Sequence, residues 1–347
     1  MNLPASGWTH EPPAETIRPA TPRDVRRLLV TLVVVTVLAN LAGVALLAER
    51  NPNRGNWLVA QKAALAVAGP PAETLLIGDS TCNQGLQPAG LSAALGGPVL
   101  NLCAIGTLGV VGDALLLDRY LATHPAPKRV IVSHAPDVWF RPPNVFNLGL
   151  LRPGGAEAPV LQAAGLAGPG SKLKMFAGQW LPLSAAPRSL GEFIRAPRET
   201  WARVFTLDAT GYMAVDFRDP DQQAKDMRNM TQTVRTLAEP LPPSTRVALQ
   251  QIAERAERHG FTVYLLPSAV AAPVAAAEGF AEYTARLHAA VDAALAGNPR
   301  VKWLARGFRP FPPEEMEQAD HLLVGAAERF TAEVGERVRA VEGGGGR

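Results

Sequence analysis

The sequence predicts an α/β fold, a three-layer α/β/α domain around a parallel sheet, preceded by one N-terminal transmembrane helix. Short apolar runs without alternation recur at 74–77 (TLLI), 99–102 (VLNL), 129–133 (RVIVS), 261–267 (FTVYLLP) and 301–304 (VKWL), as expected of strands buried on both faces. Helical patterns separate them, so strand and helix alternate through the chain. Residues 28–48 form a run of 21 residues without a charge, which as a helix spans about 31 Å, one bilayer core.

Composition agrees with a folded chain and excludes several classes. Of 347 residues, 47% are hydrophobic and 19% charged, enough to build a core without staples. Two Cys and six His leave no room for zinc fingers, iron–sulfur clusters or a Cys-rich scaffold. Nothing in the spacing of the histidines suggests a metal site, and no cofactor is implied. A net charge of +3, dispersed along the chain, gives no nucleic-acid footprint.

Residues 1–27 read as a cytoplasmic arm. Positive-inside counting sets Arg18, Arg23, Arg26 and Arg27 against Arg50, Arg54 and Lys62, which places the main domain outside the cytoplasm. A cleaved signal peptide has a shorter apolar region ending in an A-x-A-like site. The run here ends Leu46-Leu47-Ala48, so it reads as a retained anchor. Within it Thr36, Ala39, Asn40 and Gly43 form a small and polar face suited to a partner helix in lipid.

Residues 49–72 read as a juxtamembrane connector, helical over 57–67, and 73–341 as the α/β domain. Its helices are expected at 111–124, 244–259 (capped by Ser244, ended by Gly260), 280–295 and 325–341. Residues 138–235, rich in Pro, Gly, Trp and Phe, lack a period and read as an insertion over the strand ends. Residues 342–347 read as a flexible Gly-rich tail. The stretch 168–172 lacks the order a phosphate loop needs, and the sequon at Asn229 has meaning only in a eukaryotic secretory host.

Ligands of open α/β sheets bind beyond the carboxyl ends of the strands. The first strand ends in Gly78-Asp79-Ser80, which puts a serine hydroxyl on the following turn, next to backbone N–H groups able to hold an oxyanion. Near the other end of the chain, Asp320-His321 is expected to open the last helix. A Ser early and a His late at one sheet edge make a nucleophile–base pair. Asp320 is either the carboxylate behind His321 or the N-cap of the last helix.

At these residues the chain resembles the SGNH (GDSL-like) hydrolase superfamily, in particular its membrane-anchored bacterial branch of surface-glycan O-acetyltransferase-like and esterase-like proteins. The resemblance covers about 73–335 without the insertion. It implies Ser80 as nucleophile, His321 as base and an oxyanion hole from the N–H groups of Ser80 and Gly106. Where the family carries a side-chain Asn, the chain reads Ser133-His134-Ala135-Pro136-Asp137; His134 or Asn83 is the stand-in considered. Where the family carries its acid, three residues before the His, stands Gln318.

Cys82 and Cys103 follow the first two strands. In an oxidising compartment they could pair, pinning two site loops; the alternative is two buried thiols. Two functions follow. One is a membrane-anchored extracytoplasmic Ser/His acyl hydrolase or O-acyltransferase, acting on an envelope glycan or lipid at a bacterial inner membrane. The other is a degenerate SGNH-like accessory or scaffold subunit of a membrane complex, with a transmembrane partner.

Overall fold

The computed structural model describes residues 21–47, 54–155, 157–181, 206–236 and 240–343. The chain separates into two compact units, Met1–Leu46 and Leu47–Arg347.

The first unit carries helix α1 (Pro22–Leu47). Thr21 and Asp24 cap it reciprocally: the Thr21 N–H and hydroxyl donate to Asp24 Oδ2 at 3.0 and 2.6 Å. Leu28, Val33, Val35 and Leu38 are exposed along it. Among the described residues, no helix is long and apolar enough to cross a membrane. The side chains of Leu41 and of 43–48, the second half of the expected span, lie outside the described ones. On the expected interaction face, Asn40 Nδ2 donates to the Thr36 carbonyl one turn back at 2.8 Å, while Gly43 falls outside the described side chains.

The second unit is α/β, with a five-stranded, wholly parallel sheet. Its strands are β1 (Thr74–Gly78), β2 (Val99–Asn101), β3 (Arg129–His134), β4 (Thr262–Pro267) and β6 (Val301–Trp303), in the order β2-β1-β3-β4-β6. Leu75, Leu76, Ile77, Val130, Ile131 and Val132 are all fully buried, the continuous apolar pattern of a sheet covered on both faces.

Helices α3 (Ser80–Gly85) and α4 (Pro88–Leu95) link β1 to β2, while α5 (Gly109–Thr123) leads from β2 to β3 in the opposite direction. Right-handed crossovers put the two connections on opposite faces. The packing divides the same way. The last helix lies against α3 and α4, whereas α5 lies against α2 (Arg54–Ala68) and against the helix before β4. Strand order reverses between β1 and β3, and Gly78 pairs with Ser133 in register. The two strand ends thus meet at the switch point, where such sheets bind ligands.

Helix α2 belongs to this unit, which corrects its reading as a connector. Leu58, Val59 and Ala66 are buried, and so is Lys62, counted above as a flanking charge. Its ammonium donates to Asn83 Oδ1 at 2.7 Å, to Asn101 O and Oδ1 at 2.8 and 3.1 Å, and to the Gly211 carbonyl. Burial pulls the Lys62 pKa well below its ordinary value, with Asp208 opposing. One donor-only side chain thereby ties α2, α3, β2 and the insertion together.

The described part of the insertion is mostly helical: α6 (Val145–Leu150), α7 (Ala158–Ala163), α8 (Pro169–Trp180) and α9 (Pro220–Thr236). The Gly-rich stretch at 168–172 is the start of α8, with Pro169 in its first turn. Four helices complete the chain: α10 (Pro243–His259), α11 (Ala272–Ala275), α12 (Phe280–Leu295) and α13 (Val324–Gly343).

Two boundaries and one additional sheet differ from expectation. Pro242 occupies the cap position of α10, so Ser244 lies inside that helix, its preset φ favouring an earlier start. A second, two-stranded parallel sheet joins β5 (Ala269–Ala271) to β7 (Arg309–Phe311), strands too short to leave a periodic signal. Helix α13 runs to Gly343, beyond the expected tail boundary. Glu342 is held there by a two-pronged contact with Arg129, at 2.6 and 2.9 Å.

Candidate active site

The nucleophile turn begins at Gly78. Its φ of 150° and its packing admit no side chain: a Cβ there would lie 2.0 Å from the Ser133 carbonyl oxygen. Asp79 follows as the N-cap of α3. Its Oδ1 accepts from the Thr81 N–H (2.9 Å) and hydroxyl (2.6 Å), and its Oδ2 from the Ala135 N–H at 2.8 Å. One carboxylate therefore fixes both the start of the helix bearing Ser80 and the turn after β3.

Behind Asp79 lies a buried charge network. His134, at the end of β3, contacts Asp113 of α5 through Nε2 at 2.5 Å, and its Nδ1 lies 3.7 Å from Asp79 Oδ2. Burial alone would lower the His134 pKa. The carboxylates of Asp113 and Asp79 outweigh it and raise the pKa to about 10. Asp79 responds in kind: burial pushes it up, but His134 and the Thr81 and Ala135 hydrogen bonds bring it down to about 2. Burial holds Asp113 above its ordinary value despite His134. His134 is thus a cation inside the fold. Asn83 Oδ1 accepts from Lys62, and neither His134 nor Asn83 lines the cavity that Ser80 and His321 border.

Ser80 meets His321 directly, His321 Nε2 lying 2.9 Å from Ser80 Oγ. His321 Nδ1 lies 2.6 Å from Asp320 Oδ1. A carboxylate accepts only, so the Nδ1–H donates to Asp320 and Nε2 is left to accept the serine proton. Helix α13 begins at Val324, so Asp320 is not its cap. It stands instead in an irregular turn closed by the Glu317 N–H donating to the His321 carbonyl at 2.8 Å and by a bridge between Met316 and Leu322. From the insertion, Gln223 of α9 donates to the carbonyls of Pro313 and Met316, each at 2.6 Å. Gln318 lines the cavity.

Ser80, Gly106, Asp320 and His321 border one open cavity of about 300 Å³, with Thr107, Asp137, Arg141 and, from α9, Asp226, Asn229, Met230 and Thr233. Gly106 opens a short 3₁₀ turn, and a Cβ on it would lie 2.8 Å from Val138 Cγ2. Cys82 of α3 and Cys103 are joined by a disulfide, both buried, which couples the serine helix to the strand end leading to Gly106. Of the two readings of these cysteines, the structure takes the bridge.

Sequence reading missed Asp113, Arg141, Gln223 and the α9 face. The spacing of Asp226, Asn229 and Thr233, at i, i+3 and i+7, marked one face of a helix, but a polar one, and polar stripes are ordinary on solvated helices.

Fold and site together define a class: a parallel α/β domain with a Ser–His–Asp hydrogen-bond relay at its switch point. No family model matches the chain, and no curated protein matches it significantly.

Proposed function

We propose that the protein is a Ser/His acyl hydrolase or O-acyltransferase of the SGNH type, tethered to a bacterial inner membrane and acting on an acylated envelope glycan. The observation that carries this reading is the relay from Ser80 through His321 to Asp320, at 2.9 and 2.6 Å. Ser80 Oγ attacks the acyl carbonyl while its proton passes to His321 Nε2, and the N–H groups of Ser80 and Gly106 take the oxyanion. The C–O bond to the leaving alcohol breaks and His321 returns the proton to that alcohol. Water, or a sugar hydroxyl, then attacks the acyl-serine and gives its proton to His321, which passes it to Ser80 Oγ as the acyl C–Oγ bond breaks.

The cavity lining favours a glycan with a short acyl group over a lipid. Asp226, Asn229 and Thr233 offer donors and acceptors to hydroxyls, and a small, open, polar cavity gives a long chain no apolar tunnel. The disulfide supports an oxidising compartment. The uncharged run 28–48 supports the tether, with the N-terminus cytoplasmic.

The test is labelling of the full chain in detergent with a fluorophosphonate, together with hydrolysis of neutral acetyl esters. Labelling at Ser80, lost in Ser80→Ala, supports the reading; an unlabelled, folded wild type overturns it. A second reading, the accessory subunit, is favoured by the segment Ser133-His134-Ala135-Pro136-Asp137, which carries no side-chain amide. An unreactive chain that extracts in a stable complex would support that one.

A further inference from the structure

The oxyanion of an acyl-transfer intermediate needs donors preset around it, and one donor is worth about 10²–10³ in rate. Two are backbone N–H groups, of Ser80 and Gly106. The segment after β3 offers no side-chain amide: residue 137 is an aspartate, whose carboxylate accepts only. That carboxylate is engaged, its Oδ2 in contact with Nη2 of Arg141, one turn further on.

Arg141 is placed to act. It borders the same cavity as Ser80 and His321, and its side chain is 43% exposed against 10% for Asp137. Its Nη1 faces Gly106, 3.7 Å from where a Cβ on that glycine would stand. Its segment is tied to the Gly106 turn: the Asn144 N–H donates to the Thr107 carbonyl at 2.7 Å, and Asn147 Nδ2 to Thr107 Oγ1 at 2.6 Å. A guanidinium carries five donors, so the contact with Asp137 leaves others for a second anion.

We propose that Arg141, held in place by Asp137, supplies the third oxyanion donor of this site, as a charged replacement for a side-chain amide. The proposal rests on the acyl-transfer reading above. Arg141 is then a catalytic residue and Asp137 a positioning residue.

The experiment is steady-state hydrolysis of p-nitrophenyl acetate, a neutral ester, by the full chain in detergent, with fluorophosphonate labelling and thermal melting in parallel. Arg141→Ala is expected to lower kcat by about 10²-fold with little change in KM. The double variant Asp137→Asn/Arg141→Ala, which puts an amide at 137, is expected to regain about tenfold over Arg141→Ala. An Arg141→Ala protein that melts normally and turns over at the wild-type rate overturns the proposal. So does a rise in KM with kcat unchanged, which would make Arg141 a binder of the substrate body. A wild type that neither labels nor turns over overturns the underlying reading instead, so the two failures are distinguishable.

Discussion

Asp320 Oδ1 lies 2.6 Å from Nδ1 of His321, the next residue in the chain. Neighbouring side chains usually diverge, and these converge because the turn around them folds back, closed by Glu317 and clamped by Gln223. The turn thus does for adjacent residues what a spacing of three does elsewhere: it sets a carboxylate behind the imidazole.

Asp320 fixes the tautomer of His321, so Asp320→Asn should cost far more in rate than in stability. An amide there can donate to Nδ1 and turn the proton to Nε2, where it blocks the serine. The expected loss in kcat is about 10⁴-fold. Ester hydrolysis and thermal melting of the variant check this; a kcat within about tenfold of wild type would show that Asp320 orients nothing.

Gly106 has no room for a methyl group. In Gly106→Ala the Cβ would sit 2.8 Å from Val138 Cγ2, and Val138, branched and buried, yields poorly. The turn should move and carry its N–H off the oxyanion, lowering kcat by about 10²–10³-fold. Adding Val138→Ala should restore part of the loss. Equal rates for Gly106→Ala and wild type would remove Gly106 from the oxyanion hole.

The Cys82–Cys103 bridge closes 21 residues, a loop whose cross-linking stabilises by about 3 kcal/mol on chain-entropy grounds. Cys82→Ser/Cys103→Ser should melt well below wild type, and reductant should shift the wild type while leaving the variant unmoved. Urea unfolding with and without reductant measures it. Identical midpoints would show that the bridge constrains nothing.

His134 should make stability depend on alkali. It holds its proton to about pH 10 in the folded chain, against an ordinary value of 6.5. Between those values the unfolded chain binds fewer protons, so stability falls as pH rises. The contribution is whole below about 6.5 and is lost as pH passes through about 10. Lys62, lowered on burial, slopes the other way in alkali, so the comparison is with His134→Gln, which keeps Lys62. His134→Gln should be less stable by about 3–5 kcal/mol near neutrality, because two buried carboxyls lose their cation. The gap should narrow towards pH 10. Melting curves of both proteins from pH 6 to 10 decide it; parallel curves would sink the assignment.

Much of this molecule was legible because it is local. Strands β1, β3 and β4 are apolar runs between turn residues, and the helices that became α5, α10 and α12 carry their period within one stretch. Ser80 stood out at a strand end where such sheets bind ligands, and the resemblance to SGNH hydrolases paired it with His321.

What was not legible depends on choices between local and distant partners. Asp320 suits a helix cap as well as a relay, and only the start of α13 at Val324 decides between them. Lys62 reads as a flanking charge until Asn83, Asn101 and Gly211, far apart in sequence, close around it. The polar face of α9 looks like any solvated face until the helix is laid over Ser80. By itself the sequence determined the sheet and its buried strands, because side-chain periodicity and turn chemistry act over a few residues, and it marked Ser80 and His321 as a candidate pair. The tertiary structure alone decided which carboxylate stands behind the histidine, which basic side chains lie buried, and that Arg141 faces Gly106. Those contacts join segments whose separation along the chain carries no record of their approach in space.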